Sequence, residues 1–209
     1  MLVVGLTGSI GMGKTTAAKR IASHGIAIFD ADAEVHRLYE GDAAPAIEAA
    51  FPGTVADGRV DRARLAEAVL GDPKKLEQLE SIVHPMVRAS EREFLRGQHA
   101  RGAEIAVLEI PLLFETGADK HVDVTIVVTA PAEVQRERVL SRPGMSAEKL
   151  DAILAQQLSD AEKRQRADFI VETTGPIEET GEKIDRIVES LKGRQGKAMD
   201  LWLGEDDPG

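Results

Sequence analysis

Residues 8–15 read GSIGMGKT and fit the spacing G-x-x-x-x-G-K-[ST], with Gly8, Gly13, Lys14 and Thr15 at the fixed positions. Glycines so spaced let backbone N–H groups converge on phosphate oxygens with no Cβ in the way. A helix beginning near Lys14 would aim its positive end at the same point. Lys14 is then placed to reach the β- and γ-phosphates of a nucleotide, and the Thr15 hydroxyl to bind Mg²⁺. The opposing reading is a chance match in a glycine-rich turn. The apolar run LVVGLT before the loop and the pattern TAAKRIASHG after it supply the strand and helix that the nucleotide reading requires.

Acids stand at two further places where chemistry is expected. FDADAEVHR puts Asp30 and Asp32 just past a second strand, beside the phosphate-loop strand if the order is the usual one. A carboxylate there could take a proton from an acceptor hydroxyl or help organise a metal. Helix capping is the equal alternative, but two acids two apart do not cap one helix, so at least one is available. VLEIPLLFE places Glu109 inside an apolar run, where a buried acid needs a cation. A water-mediated Mg²⁺ contact or a salt bridge with Lys or Arg would meet that need. Glu115 reads as solvated or as a cap for the next turn.

Basic residues cluster late, with Arg136, Arg138, Arg142, Lys163 and Arg164 as candidates to clamp transferring phosphate oxygens. Arg138 and Arg142 are four apart and share a helix face. His84, followed by Pro85, could orient a substrate or mark a helix break. Trp202 reads as a packing anchor for the tail.

These side chains need elements to position them. Apolar runs at residues 2–7, 27–29, 105–110, 124–128 and 169–171 predict buried parallel strands, with helical patterns at 14–24 and 176–191 between them. Strands alternating with helices predict an α/β fold with a parallel sheet. About seventy residues between the second and third strands carry helical signals, interrupted at His84-Pro85, and no convincing strand. They predict a helical insert suited to hold an acceptor. Residues 131–167 form a second helical stretch, and the charge-rich tail from 193 onward is expected to fray.

With 209 residues, the chain has room for one domain with embellishments, and 43% apolar content is ordinary for a globular protein. A net charge of -10 repels nucleic acid and anionic membranes, so an anionic substrate must be caught by local donors. With no Cys, disulfides and thiolate metal sites are excluded. No run approaches a membrane span and no leader pattern is visible, so a cytoplasmic protein is expected.

Taken together, GLTGSIGMGKTT, FDADAEVHRL, IVHPMV, LEIPLLFE, QRERVLSR and QQLSDAEKRQRADFIV resemble the dephospho-coenzyme A kinase family, in that order and across nearly the whole chain. The resemblance implies a P-loop kinase fold: a core of residues 1–33, 104–130 and 168–193, a helical coenzyme A lobe of 34–103, a lid of 131–167 and a tail of 194–209. It implies phosphorylation of the ribose 3′-hydroxyl of dephospho-CoA by ATP with Mg²⁺. A monomer or small homo-oligomer is expected, and the acidic balance argues against nucleic-acid or membrane partners. By the same resemblance Gly11, Met12, Gly13, Lys14, Thr15 and Thr16 belong to the ATP loop, and Asp32 stands at the position of the catalytic base. Lys14, Arg138 and Arg142 join it in catalysis. Asp30, His36, Arg37, His84, Pro111 and Leu112 would contact the acceptor, and Thr15 and Glu109 the metal.

The chain departs from the family pattern at two places. Thr173 and Thr174 stand where an Asn is often found, which implies a weaker or backbone-made adenine contact. Pro143 follows the lid Arg where an acid is common, which implies a stiffer lid turn. Another small-molecule kinase of the same fold is the nearest rival. A GTPase switch is excluded because the chain contains no Asn for the guanine-reading Asn-Lys-x-Asp motif.

Overall fold

The computed structural model describes residues 1–204, in two compact units, Met1–Phe29 with Leu95–Gly204 and Asp30–Phe94. Five strands run through the first unit: β1 (Leu2–Thr7), β2 (Ala27–Asp30), β5 (Ile105–Glu109), β6 (Val124–Thr129) and β7 (Phe169–Glu172). Their order is β2-β5-β1-β6-β7, and β1 pairs in parallel with β5 and β6, as β6 does with β7. All five expected strands are present, but the neighbour of β1 is β5 and not β2. Burial explains the difference. Every residue of β5 is buried, which suits an interior strand, whereas β2 is only half-buried and ends exposed, which an edge tolerates. Glu109, opposite Leu6, therefore lies beside the phosphate-loop strand.

One face of the sheet is covered by α1 (Lys14–Ala22) and α9 (Ile177–Leu191). Helix α1 contributes Ala17, Ala18 and Ile21 to the core, and α9 contributes Ile184, Ile187, Val188 and Leu191, spaced so that one stripe faces the strands. The two helices are also tied by charge. Asp185 accepts from Arg20 Nε at 2.7 Å and meets His24 Nε2 at 2.7 Å, and these two partners hold its carboxyl well below the usual carboxylate range. On the other face Val127 of β6 packs with Leu113 and Phe114 and with Leu158 and Ala167 from the segment of α6 (Ala132–Leu140), α7 (Ala147–Leu154) and α8 (Asp160–Arg166).

The tail does not fray as far as it is described. Helix α10 (Ala198–Leu203) is anchored by Trp202, 7% exposed, whose indole N–H donates to His121 O at 2.8 Å. Asp123 accepts from Lys197 N and Ala198 N with one oxygen and from Val3 N with the other, tying the same helix to β1. The last residues of the expected tail, 205–209, lie outside the described residues.

The second unit carries α2 (Ala31–Tyr39), α3 (Ala44–Ala50), α4 (Arg62–Val69) and most of α5 (Pro73–Ala100). Two departures from the expected insert appear. A hairpin of two-residue strands, β3 (Val55–Ala56) and β4 (Arg59–Val60), turns at Asp57-Gly58 with both residues at positive φ. Helix α5 is continuous through Pro85. An interior proline costs about 3 kcal/mol. Here Leu79, Val83, Val87 and Leu95 form a buried stripe on both sides of it, and burying each such side chain recovers about 1.5–3 kcal/mol.

Glu91, also on α5, is 6% exposed, and burial pushes its carboxyl from the ordinary 4.5 up to about 7 against a smaller pull from Arg88. Below 4.5 the group is protonated folded or unfolded. Between 4.5 and about 7 only the unfolded chain releases the proton, so the native state loses stability as pH rises through that window. Glu91→Gln is therefore expected to exceed the parent in stability at pH 8, by up to about 3 kcal/mol, and to show no such gain at pH 4. Urea denaturation at the two pH values checks it, and an equal advantage at both would contradict the assignment.

Candidate active site

The loop between β1 and α1 is shaped by contacts that leave no room for side chains. A Cβ on Gly8 would fall 2.6 Å from Val128 O, and one on Gly11, where φ is 79°, would fall 2.5 Å from Val139 Cγ2. Met12 is buried, and its Sδ accepts from Ala130 N at 3.0 Å. Helix α6 reaches the loop with Gln135, whose Nε2 donates to Ile10 O at 2.8 Å. From the end of β7, Thr173 Oγ1 donates to Met12 O at 2.9 Å. Gly13 caps α1, its carbonyl accepting from Thr16 N and Ala17 N. Among the described residues the N–H groups of Gly11, Gly13, Lys14 and Thr15 donate to no protein acceptor. A set of free donors at a helix N-terminus can hold a polyphosphate.

Lys14 donates to Glu109 Oε1 at 2.9 Å, with the two side chains only 16% and 8% exposed. The salt bridge foreseen as one reading of Glu109 is thus present. The end of β5 is held to β1, since Ile110 N donates to Leu6 O and Thr7 Oγ1 donates to Pro111 O at 3.0 Å. Leu112 O accepts from Thr116 N, which turns the chain after this segment. The Thr15 side chain is exposed and has no protein partner among the described residues. Thr16 lines a groove of about 680 Å³ between α1 and α9.

In the second unit the two aspartates separate into different roles. Asp30 caps α2 by accepting from Ala33 N at 3.0 Å. Asp32, in the first turn of that helix, is exposed and unpartnered among the described residues. His36 is exposed on the same helix, while Arg37 is engaged by Glu34 and by Asp42 at 2.8 Å. That guanidinium is also the main cause holding the Glu34 carboxyl below its ordinary value. His84 is exposed on α5.

The late basic residues divide sharply. Lys163 is 1% exposed and pairs with Glu115 at 2.9 Å, so it is no phosphate clamp and Glu115 is not solvated. Glu115 also accepts from Leu158 N at 2.9 Å, which fixes the chain ahead of α8. Arg164 faces Asp160 at 3.8 Å on its own helix, and Arg136 bridges to Asp151 at 3.2 Å. Arg138 forks onto Thr173, donating to its Oγ1 at 2.9 Å and its carbonyl at 2.6 Å. Arg142 is exposed with no side-chain partner among the described residues. Of the basic set, it alone is both unpaired and on the exposed turn after α6.

Gln135 and Thr173 were not singled out from the sequence as contacts of the loop. A signal for Gln135 was available, since residues 135 and 138 are three apart and neighbours on α6. Arg142, expected on the same face, lies instead beyond the end of that helix at Leu140. Thr173 carried only its departure from the family pattern, and nothing local tells which carbonyl its hydroxyl meets.

Comparison with known proteins adds to this geometry. The family model described as dephospho-CoA kinase matches residues 2–179. A protein of Mesorhizobium japonicum named dephospho-CoA kinase is 57% identical over 196 residues, spanning 94% of this chain and 100% of that relative. The crystal structure of TT1252 from Thermus thermophilus superposes with a TM-score of 0.79 at 37% identity, covering 92% of this chain and 98% of that one. Dephospho-CoA kinase from Campylobacter jejuni gives a TM-score of 0.64 at 25% identity, with 90% and 96% covered.

Proposed function

The chain belongs to the dephospho-CoA kinase family, and from that premise we propose how its residues carry the γ-phosphoryl group of ATP to the ribose 3′-hydroxyl of dephospho-CoA. The observation that carries the reading is the loop of residues 8–16, whose free N–H groups and Lys14 form a ready polyphosphate cradle. In such transfer little covalent work falls to the protein, and positioning with charge neutralisation dominates. Asp32 orients the acceptor hydroxyl and takes its proton, a role for which a carboxylate without a competing partner is suited. Lys14 moves its charge from Glu109 toward the β- and γ-phosphates. Arg142 faces the oxygens of the transferring group when the segment around α7 closes and excludes water, and Arg138 must release part of its fork on Thr173 to join it.

Acceptor contacts are assigned to the second unit through His36, Arg37 and His84, with Asp30 shaping the start of α2 and Pro111-Leu112 lining the end of β5. Arg37 must release Glu34 or Asp42 to serve in this way.

Mg²⁺ fits the donors present, because the Thr15 hydroxyl is free and Glu109 offers a second carboxylate oxygen beside the loop. No cluster of three or more His, Cys, Asp or Glu is preformed among the described residues, which suits a metal carried in largely by nucleotide phosphates and water. When bound, Mg²⁺ would supply Lewis-acid neutralisation of β- and γ-phosphate charge. A cytoplasmic site of action accords with this substrate pair, and no helix among the described residues is long and apolar enough to cross a membrane.

The deciding assay follows ADP release by purified protein with Mg²⁺-ATP and either dephospho-CoA, nucleoside monophosphates or no acceptor. ADP formed only with dephospho-CoA, and a product one phosphate heavier, is expected. Equal turnover without acceptor would replace the kinase reading by hydrolysis. In the same assay Arg142→Ala is expected to lower kcat about tenfold to a hundredfold. Its melting temperature should be unchanged, since an exposed unpaired side chain contributes little to stability. Parent-like kcat would remove Arg142 from the transfer step.

A further inference from the structure

We propose that Gln135 and Thr173 are positioning residues for nucleotide binding, holding phosphate-loop carbonyls outward so that the N–H groups of the same peptides face the phosphates. The argument rests on the reading of residues 8–16 as the ATP loop and on the geometry of a trans peptide, in which C=O and N–H point to opposite sides of one rigid plane. No peptide bond is cis among the described residues. Ile10 O shares its peptide with Gly11 N–H, and Met12 O shares its peptide with Gly13 N–H. Gln135 holds the first carbonyl at 2.8 Å and Thr173 the second at 2.9 Å. The two N–H groups opposite are among the four that donate to no protein acceptor among the described residues.

Anchors are needed at these peptides. Glycine carries little torsional preference, so Gly11 and Gly13 would otherwise let either plane rotate. The anchors are themselves fixed. Gln135 is 5% exposed and Thr173 6%, burial in which a polar side chain is costly unless it makes its hydrogen bonds. Thr173 has one hydroxyl proton. Arg138 Nη1 donates into the same oxygen, and the proton is directed at Met12 O, nearer than Thr129 O at 3.3 Å. The loop, β7 and helix α6 therefore meet at one hydroxyl.

Affinity of the full chain for a non-hydrolysable ATP analogue, measured by calorimetry beside the melting temperature, tests the proposal. Thr173→Val keeps the shape and removes the donor, and is expected to weaken binding about tenfold, as for the loss of one buried hydrogen bond. Thr173→Ser restores the donor and should bind within about threefold of the parent. Gln135→Met leaves the partners of Arg138 untouched and should also lose about tenfold. In steady-state assays both losses are expected in KM for ATP and not in KM for dephospho-CoA. Parent-like affinity in the Val or the Met variant, or equal losses in Val and Ser, overturns the proposal. A parent chain that does not bind the analogue would instead overturn the reading of the loop.

Discussion

Replacing Lys14 by Met is expected to lower kcat/KM about 10³-fold and, separately, to destabilise the protein by about 3–5 kcal/mol. The two effects have different origins. Turnover falls because a fixed cation no longer meets charge developing on the transferring phosphoryl group. Stability falls because Glu109, 8% exposed at the end of an interior strand, is left as a buried carboxylate without its cation. A second substitution separates them. The double variant Lys14→Met/Glu109→Gln removes the orphaned charge, so chemical denaturation should show most of the lost stability regained while turnover stays low. Recovery of turnover in the double variant would mean that Lys14 acts only as the partner of Glu109.

Asp32→Asn is expected to lower kcat by about 10²–10⁴-fold, the span covered by a positioned general base. ATP affinity should stay within about twofold, and stability should fall by no more than about 0.3–1 kcal/mol, because the exposed side chain bonds to nothing among the described residues and adds only its charge to the first turn of α2. Single-turnover phosphoryl transfer with saturating dephospho-CoA, beside calorimetry with the ATP analogue, reads both quantities. Near-normal transfer would take Asp32 out of the base role. The neighbouring Asp30→Asn should behave differently, since an amide oxygen still caps α2 and no proton transfer is asked of it.

The strands were legible because parallel strands buried on both faces read as continuous apolar runs, as IAVLE and VTIVVT do here. The phosphate loop was legible because its chemistry depends on residue types at fixed spacing. Strand order was not, since nothing local in AIFD says that it lies at an edge with β5 between it and β1. Pro85 carried a true local signal that tertiary burial on both sides overrode. The Asp57-Gly58 turn was also written in the sequence, but strands of two residues have no periodicity to announce them. For the charged side chains, type was visible and pairing was not. Lys163 looks like Arg142 in sequence, yet one is sealed against Glu115 and the other stands free, a difference made by packing over the sheet.

Aromatic side chains are scarce, and their placement turns two of them into optical probes. Trp202 is the single tryptophan and Tyr39 the single tyrosine. Excitation at the red edge of indole absorption therefore reports one locus, the seat of α10 against His121, whose ring lies 5.8 Å from the indole. A buried indole there should emit at short wavelength and shift to the red when the helix lets go. Tyr39 belongs to the unit of Asp30–Phe94 and the indole to the other. Unfolding curves recorded by indole emission and by far-ultraviolet circular dichroism will coincide if the two units melt as one cooperative block. If they separate, the gap between them measures how independently the unit carrying Asp32 holds itself together.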